Sequence, residues 1–178
     1  MDYTTVHYNT YMQETQCLLP DPGLLLVTAG KDGKPNAMAI GWGVIGFIWG
    51  KPIFTVLVRP SRYTYRLLEE SDSFTVCVPA RAHTQIVTFC GTKSGRDHDK
   101  FKECDLEVLP SLRVSAPGIA GFPLIYECRI VHTNDVIPAN LAEEIKSSAY
   151  PKGDFHRLYY GEIMAVRALP DAADLLQH

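Results

Sequence analysis

The sequence predicts a mainly β fold, a small antiparallel barrel carrying helices on its outside. Three observations predict it. Apolar, β-branched runs recur between turn signals, as at Leu24–Thr28, Ile53–Val58 and Phe74–Val78. Segments of helical spacing separate some of these runs, while short hairpin loops join others. GxxxxGK[ST] does not occur, and the one GxGxxG match, Gly41 to Gly46, lies within an alternating strand run instead of opening a helix. Neither the P-loop nor the Rossmann context is present, so a bound nucleotide would need another device for its phosphate.

Taken in order, Pro20-Asp21-Pro22-Gly23 is a turn that launches the strand Leu24–Thr28. Gly30-Lys31-Asp32-Gly33-Lys34-Pro35 makes the hairpin loop, and NAMAIGWGVIGF, Asn36 to Phe47, returns as a strand. Gly50-Lys51-Pro52 turns the chain into Ile53–Val58. Ser61 is a good N-cap, and Tyr63, Leu67 and Leu68 recur at helical spacing up to Glu70. Phe74–Val78 is strand, Arg81–Phe89 reads as helix broken by Gly91, and Asp97–Cys104 as a short helix. Two later strands, Leu124–His132 and Leu158–Ala168, flank a helical insertion at Asn140–Ser148.

The 178 residues suit a single domain over 1–178, and 46% hydrophobic residues allow a substantial core. Net charge is −3 with both signs interspersed, which argues against a nucleic-acid-binding surface while leaving room for a local basic pocket. No run of about 18 apolar residues is present, so no membrane span is expected. The polar start MDYTTVHYNTYMQETQ has no signal-peptide pattern, and a cytoplasmic protein is expected. Five cysteines, none in a CxxC pair, read as reduced thiols, and no zinc site is expected.

Three segments carry candidate chemistry. In Asn36–Phe47, alternation puts Ala37, Ala39, Gly41 and Gly43 on one face and Met38, Ile40, Trp42 and Val44 on the other. The smooth face serves either strand crowding or a flat ring lying along the strand. In VRPSRYTYRLL, a strand ends at Arg59 and a helix begins near Ser61, which either gathers an anion site from arginines and hydroxyls or is an ordinary capped helix. In CGTKSGRDHDKF, two glycines and Lys93, Arg96 and Lys100 make a basic loop that Asp97 and Asp99 partly cancel.

In this order the segments resemble the flavin reductase-like family, which includes flavoredoxins and NAD(P)H:flavin oxidoreductases. The pieces are LLLVTAGKDGKPNAMAIGW, VRPSRYTYRLLEES, FTVCVP, CGTKSGRDHDKF and FHRLYYGEI, spanning Gly23 to Val166; SGRDHDKF, Ser94 to Phe101, is the most specific. The resemblance implies an FMN-binding split β-barrel, a Greek-key-like antiparallel barrel, in a homodimer with noncovalent FMN near the interface. It implies that Asn36, Ala37, Met38 and Ala39 border the isoalloxazine. Arg59, Ser61, Arg62, Tyr63 and Thr64 would hold the ribityl phosphate, and Thr92, Ser94, Gly95, Arg96 and Lys100 would close the site. Gly41-Trp42-Gly43 departs from the hydroxyl residue and phenylalanine that many members carry in this strand.

His156, before LYYGEI, falls where members often have a histidine on the substrate side of the flavin. It either orients a nicotinamide or donates a proton, or pairs at the strand edge with Asp154 or Glu162. Cys90 reads as an inert buried thiol. The expected activity is electron transfer from NAD(P)H through FMN. The alternative is a flavoredoxin-type carrier fed by a redox protein without its own NAD(P)H site, and a third reading is a flavin-storage module.

Overall fold

A computed structural model describes residues 2–177 and places every strand run named above in one antiparallel sheet. The elements are β1 (Thr4–Val6), α1 (Met12–Leu18), β2 (Leu24–Ala29), β3 (Pro35–Ile40), β4 (Gly43–Ile48), β5 (Lys51–Val58), α2 (Tyr63–Glu69), β6 (Ser73–Val78) and α3 (Thr84–Thr92). There follow α4 (Lys100–Glu103), β7 (Val108–Leu109), β8 (Gly118–Ile119), β9 (Leu124–Asp135), α5 (Glu143–Ala149), β10 (Arg157–Ala168) and α6 (Ala172–Leu175). The main sheet runs β3-β2-β6-β9-β10-β5-β4, with β1 added to the distal half of β10 and β7-β8 forming a separate ribbon. Among the described residues no helix is long and apolar enough to cross a membrane.

The sheet curls but does not close. Its two free edges are β3 and β4, the halves of the single strand expected over 36–47. Gly41 and Trp42 carry the chain from one edge to the other, so the alternation is interrupted at the point where two glycines flank a tryptophan. The interior of the curl is filled by Leu24, Leu26, Met38, Ile40, Phe54, Phe74, Val76 and Tyr126, with Leu18 and Leu19 of the α1 end closing one mouth. Tyr126 is wholly buried, and its hydroxyl lies 3.0 Å from that of Thr15 on α1.

A second apolar layer lies outside β2, β3, β6 and β9. There Leu25, Val27, Ala37, Cys77 and Ile125 pack with Val87 and Cys90 of α3 and Phe101 of α4. This is what covers the smooth face. Ala37 is 0% exposed in this layer, and a Cβ added at Gly91 of α3 would sit 3.1 Å from that of Ala39. Small residues here let a helix approach the strand, so the crowding explanation holds for Ala37. Gly91 does not break the helix; it lies within α3, where it allows that approach. Strands buried on both faces also explain the unalternating run of β6, every residue of which is buried.

Other boundaries differ for local reasons. Ser61 is not the N-cap of α2; Arg62 occupies that position and no side chain caps it. The helix expected over 97–104 shortens to α4 because Asp99 caps it, accepting from the Lys102 amide. β9 continues to Asp135 along the long β10, through two register shifts next to Gly161 and Ile163.

Gly161 tests this packing. A Cβ there would meet Phe74 Cζ at 2.5 Å and Cys128 Cβ at 2.6 Å. Gly161→Ala is expected to cost about 1–3 kcal/mol or more through overpacking. The measurement is urea denaturation, and an unchanged midpoint would disprove the assignment.

Candidate functional site

A cleft of about 330 Å³ opens along the free edge of β3, a volume at the low end of ordinary ligand sites. Its walls come from β3 and the Gly41-Trp42 crossing, the segment from Leu57 to Thr64, the end of α3 with the loop that follows it (Gly91 to Arg96), Lys100 and His156. Of the residues expected at the site, Met38, Ala39, Arg59, Ser61, Arg62, Tyr63, Thr64, Thr92, Ser94, Gly95, Arg96, Lys100 and His156 all face it. Asn36 and Ala37 do not. Ala37 turns its methyl to the helix layer, and Asn36 is a buried post that donates through Nδ2 to Thr64 Oγ1 at 2.9 Å. A Cβ on Gly95 would collide with Asn36 Oδ1 and come within 2.7 Å of Tyr63, so glycine is what lets the basic loop close onto this post.

Among the described residues β3 pairs only with β2, so its other edge offers backbone groups that no strand pairs. Ala37 sends its carbonyl off that edge to Lys100 Nζ at 2.8 Å. The antiparallel alternation then brings the N–H and C=O of Ala39 out on the same edge. The cleft therefore meets β3 through its backbone, beside small side chains.

Lys100 is 4% exposed, and its ammonium donates to the carbonyls of Ala37 and Cys90, each at 2.8 Å. Burial pulls its pKa down. Two of three ammonium donors are spent, and the residue still faces the cleft. Burial pushes the Cys90 thiol up to about 12, so it stays protonated and unreactive.

The cations divide into two groups. Arg59 donates to the carbonyls of Asp154 at 3.2 Å and Ala149 at 2.8 Å, and Ser61 gives both its amide and hydroxyl to the Asp154 carboxylate. These two, expected to grip an anion, also tie down the 149–154 segment, where Asp154 sits at φ 58°. Arg96 donates to the Ser61 carbonyl at 3.1 Å and lies over the Tyr63 ring. The side chains of Arg62 and Lys93 have no hydrogen-bonding partner or ion pair among the described residues and are exposed at the rim. Asp99 pairs with Lys34 at 2.9 Å, and neither it nor Asp97 lines the cleft. Among the described residues the walls hold five Lys and Arg residues and no carboxylate, in a chain of net charge −3.

His156 is buried, with Nδ1 2.8 Å from the Tyr150 hydroxyl and the Trp42 ring 5.0 Å away. It pairs with neither Asp154 nor Glu162; the latter binds Lys51 and Arg129. Burial first, and Arg59 second, lower its pKa from 6.5 to about 4. Ile40, Gly41, Trp42, Leu57, Gly91 and Lys93 complete the walls beyond the residues expected there from sequence. Lys93 lies inside the basic loop and was readable from it, whereas nothing in the sequence pairs Tyr150 with His156.

Residues 21–178 match the family described as flavin reductase like domain. A protein of Archaeoglobus fulgidus is 30% identical over 141 residues, covering 79% of this chain and 69% of the relative. Among solved structures, a flavoredoxin of Desulfovibrio vulgaris superposes with a TM-score of 0.68 at 29% identity, covering 84% of this chain and 70% of that one. A flavoredoxin from Methanosarcina acetivorans gives 0.68 at 26% identity over 96% and 77%. The flavin reductase component of a bacterial two-component tryptophan halogenase gives 0.61 at 22% over 83% and 79%, a likeness of fold.

The His156 environment sets a pH dependence. Its folded pKa lies below the unfolded value, so the unfolded chain binds the proton first as pH falls. The stability it contributes is complete above about 6.5 and is lost progressively toward pH 4. Equilibrium denaturation across that window should show the decline, and His156→Gln should make it shallower, leaving the share of His83, whose pKa burial also lowers. An equal slope in the variant would remove His156 as its source.

Proposed function

The chain belongs to the flavin reductase-like family, and from that premise we propose that it is an FMN-binding flavoprotein acting as an NAD(P)H:flavin oxidoreductase. The observation that carries the reading is the cleft with five cations and no acid in a net acidic chain. Such a donor set suits a dianionic phosphate ester, and the adjoining free strand edge suits a flat ring with polar atoms on its rim.

Arg62, Lys93 and Arg96 would hold the phosphate, with Lys100 behind them at the junction of β3, α3 and α4. Thr64 and Asn36 fix the start of α2 against the basic loop. The backbone of Ala39 would meet the ring edge. Bound flavin supplies the capacity to take and pass on electrons; the protein's part is to orient it, shield it and admit a second ligand. Trp42 and His156 form the wall beside which that ligand would enter.

The flavoredoxin likenesses, at 29% and 26% identity, favour a second reading, an electron carrier charged by a redox protein. Steady-state oxidation of NADH and NADPH by the FMN-loaded protein separates the two: turnover with either supports the oxidoreductase, and its absence supports the carrier.

Assembly as a homodimer is part of the proposal. The outer face of β4 and the neighbouring turn leave Val44, Ile48 and Trp49 exposed, and β4 is itself a free edge. Contiguous apolar surface on an open edge calls for a cover, and a second copy related by a two-fold axis provides one. Sedimentation equilibrium of the FMN-loaded protein should return twice the 19.8 kDa chain mass. A monomer at micromolar concentration would overturn this part.

The phosphate assignment is tested by Arg62→Ala. A charge-assisted hydrogen bond is worth about 1.5–3 kcal/mol, so FMN affinity should fall about ten-fold or more while riboflavin affinity barely changes. Titration by flavin fluorescence reads both. Equal losses for the two ligands would make Arg62 structural, and a protein that binds neither flavin would end the proposal.

A further inference from the structure

Tyr150 is buried, lies outside the cleft wall, and touches His156, the imidazole that faces the cavity. Its hydroxyl is 2.8 Å from His156 Nδ1 and has no other partner among the described residues. A buried phenol O–H left without an acceptor is costly, so the proton on this contact belongs to the phenol and Nδ1 accepts it. A neutral imidazole whose Nδ1 accepts carries its hydrogen on Nε2. That nitrogen has no protein acceptor among the described residues, and His156 faces the cleft while only 8% exposed.

The surroundings oppose a second proton. Arg59 from the end of β5 and Arg62 ahead of α2 face the imidazole, against the single carboxylate of Asp154. Tyr150 is held in turn. The Arg59 guanidinium lies 5.0 Å over its ring, Phe155 stacks on it at 4.7 Å, and Arg59 also binds the carbonyl of the preceding Ala149. The Trp42 ring, tilted by 48°, lies 5.0 Å from the imidazole of His156.

We infer that Tyr150 is a positioning residue that locks His156 in the Nε2–H form, making it a fixed, neutral hydrogen-bond donor to an oxygen atom of the ligand that enters this part of the cleft. His156 then orients that ligand and does not act as an imidazolium that delivers a proton. The tautomer follows from the hydrogen bonding alone; the role toward a ligand beside flavin rests on the function proposed above.

The test is long-range nitrogen–proton correlation on the uniformly 15N-labelled full chain near neutral pH, without and with FMN. His156→Gln identifies the His156 signals among the six histidines. A pyridine-type Nδ1 and a pyrrole-type Nε2 are expected in both states. In Tyr150→Phe, which keeps the ring under Arg59, both nitrogens should move toward a tautomer average. The titration midpoint of His156 should rise toward its ordinary value, because the donor that favoured the neutral form is gone. A pyrrole-type Nδ1 in the parent overturns the inference, and this reading stands even if the variant does not fold. A folded Tyr150→Phe with unchanged shifts and midpoint overturns it as well. Failure to bind FMN would count against the proposed function while leaving the tautomer result intact.

Discussion

The ammonium of Lys100 is the constraint on which the rest of the site depends. It draws together a carbonyl on the free edge of β3 and a carbonyl near the end of α3, and it does so from the first residue of α4. A buried cation without a carboxylate is tolerated only where backbone dipoles replace its water, and the two carbonyls do that. Remove this tie and three elements lose their common point: the strand edge that meets the cleft, the helix that covers the strand, and the loop between them that carries Lys93 and Arg96. The small residues at Ala37, Ala39 and Gly91 belong to the same arrangement, since they set how closely α3 lies on β3. The pocket is thus a by-product of a packing contact one layer behind it.

Around that contact the sheet is divided in use. β2, β3 and β6 are sandwiched between the barrel interior and the helix layer, whereas β4 and its turn present apolar side chains outward. The buried carboxylate of Glu127 accepts from the amides of Leu112 and Arg113, fastening the loop ahead of β8 to β9. Polar groups inside this half are satisfied locally, which leaves the cations of the cleft free of internal acids.

Most of the architecture was legible in the sequence, because hairpin loops such as Gly30–Pro35 and β-branched runs such as Ile53–Val58 encode it locally. The cleft was legible for a related reason: VRPSRYT and CGTKSGRD are contiguous, and each delivers its residues as a block. What was not legible depends on distance in the chain. Nothing at Arg59 or Ser61 announces that a segment some ninety residues later engages them in hydrogen bonds. The interruption at Gly41-Trp42 follows from the curl of the whole sheet, since period-two alternation runs through it unbroken. Gly91 illustrates the opposite error, where a local helix-breaking preference yields to a close tertiary contact.

The position of the tryptophans gives the molecule an optical character. The chain has only two, Trp42 and Trp49, and neither belongs to the barrel core. Trp42 leans on His156 at the cleft wall, and Trp49 stands at the turn after β4 beside His132 and Tyr160. Indole emission from the native chain therefore originates at the ligand cleft and at the open apolar edge. Both fluorophores report surface events: a chromophore entering the first place quenches one, and a surface docking on the second shifts the other. The tightly packed interior, which holds most of the folding energy, is almost silent by this light.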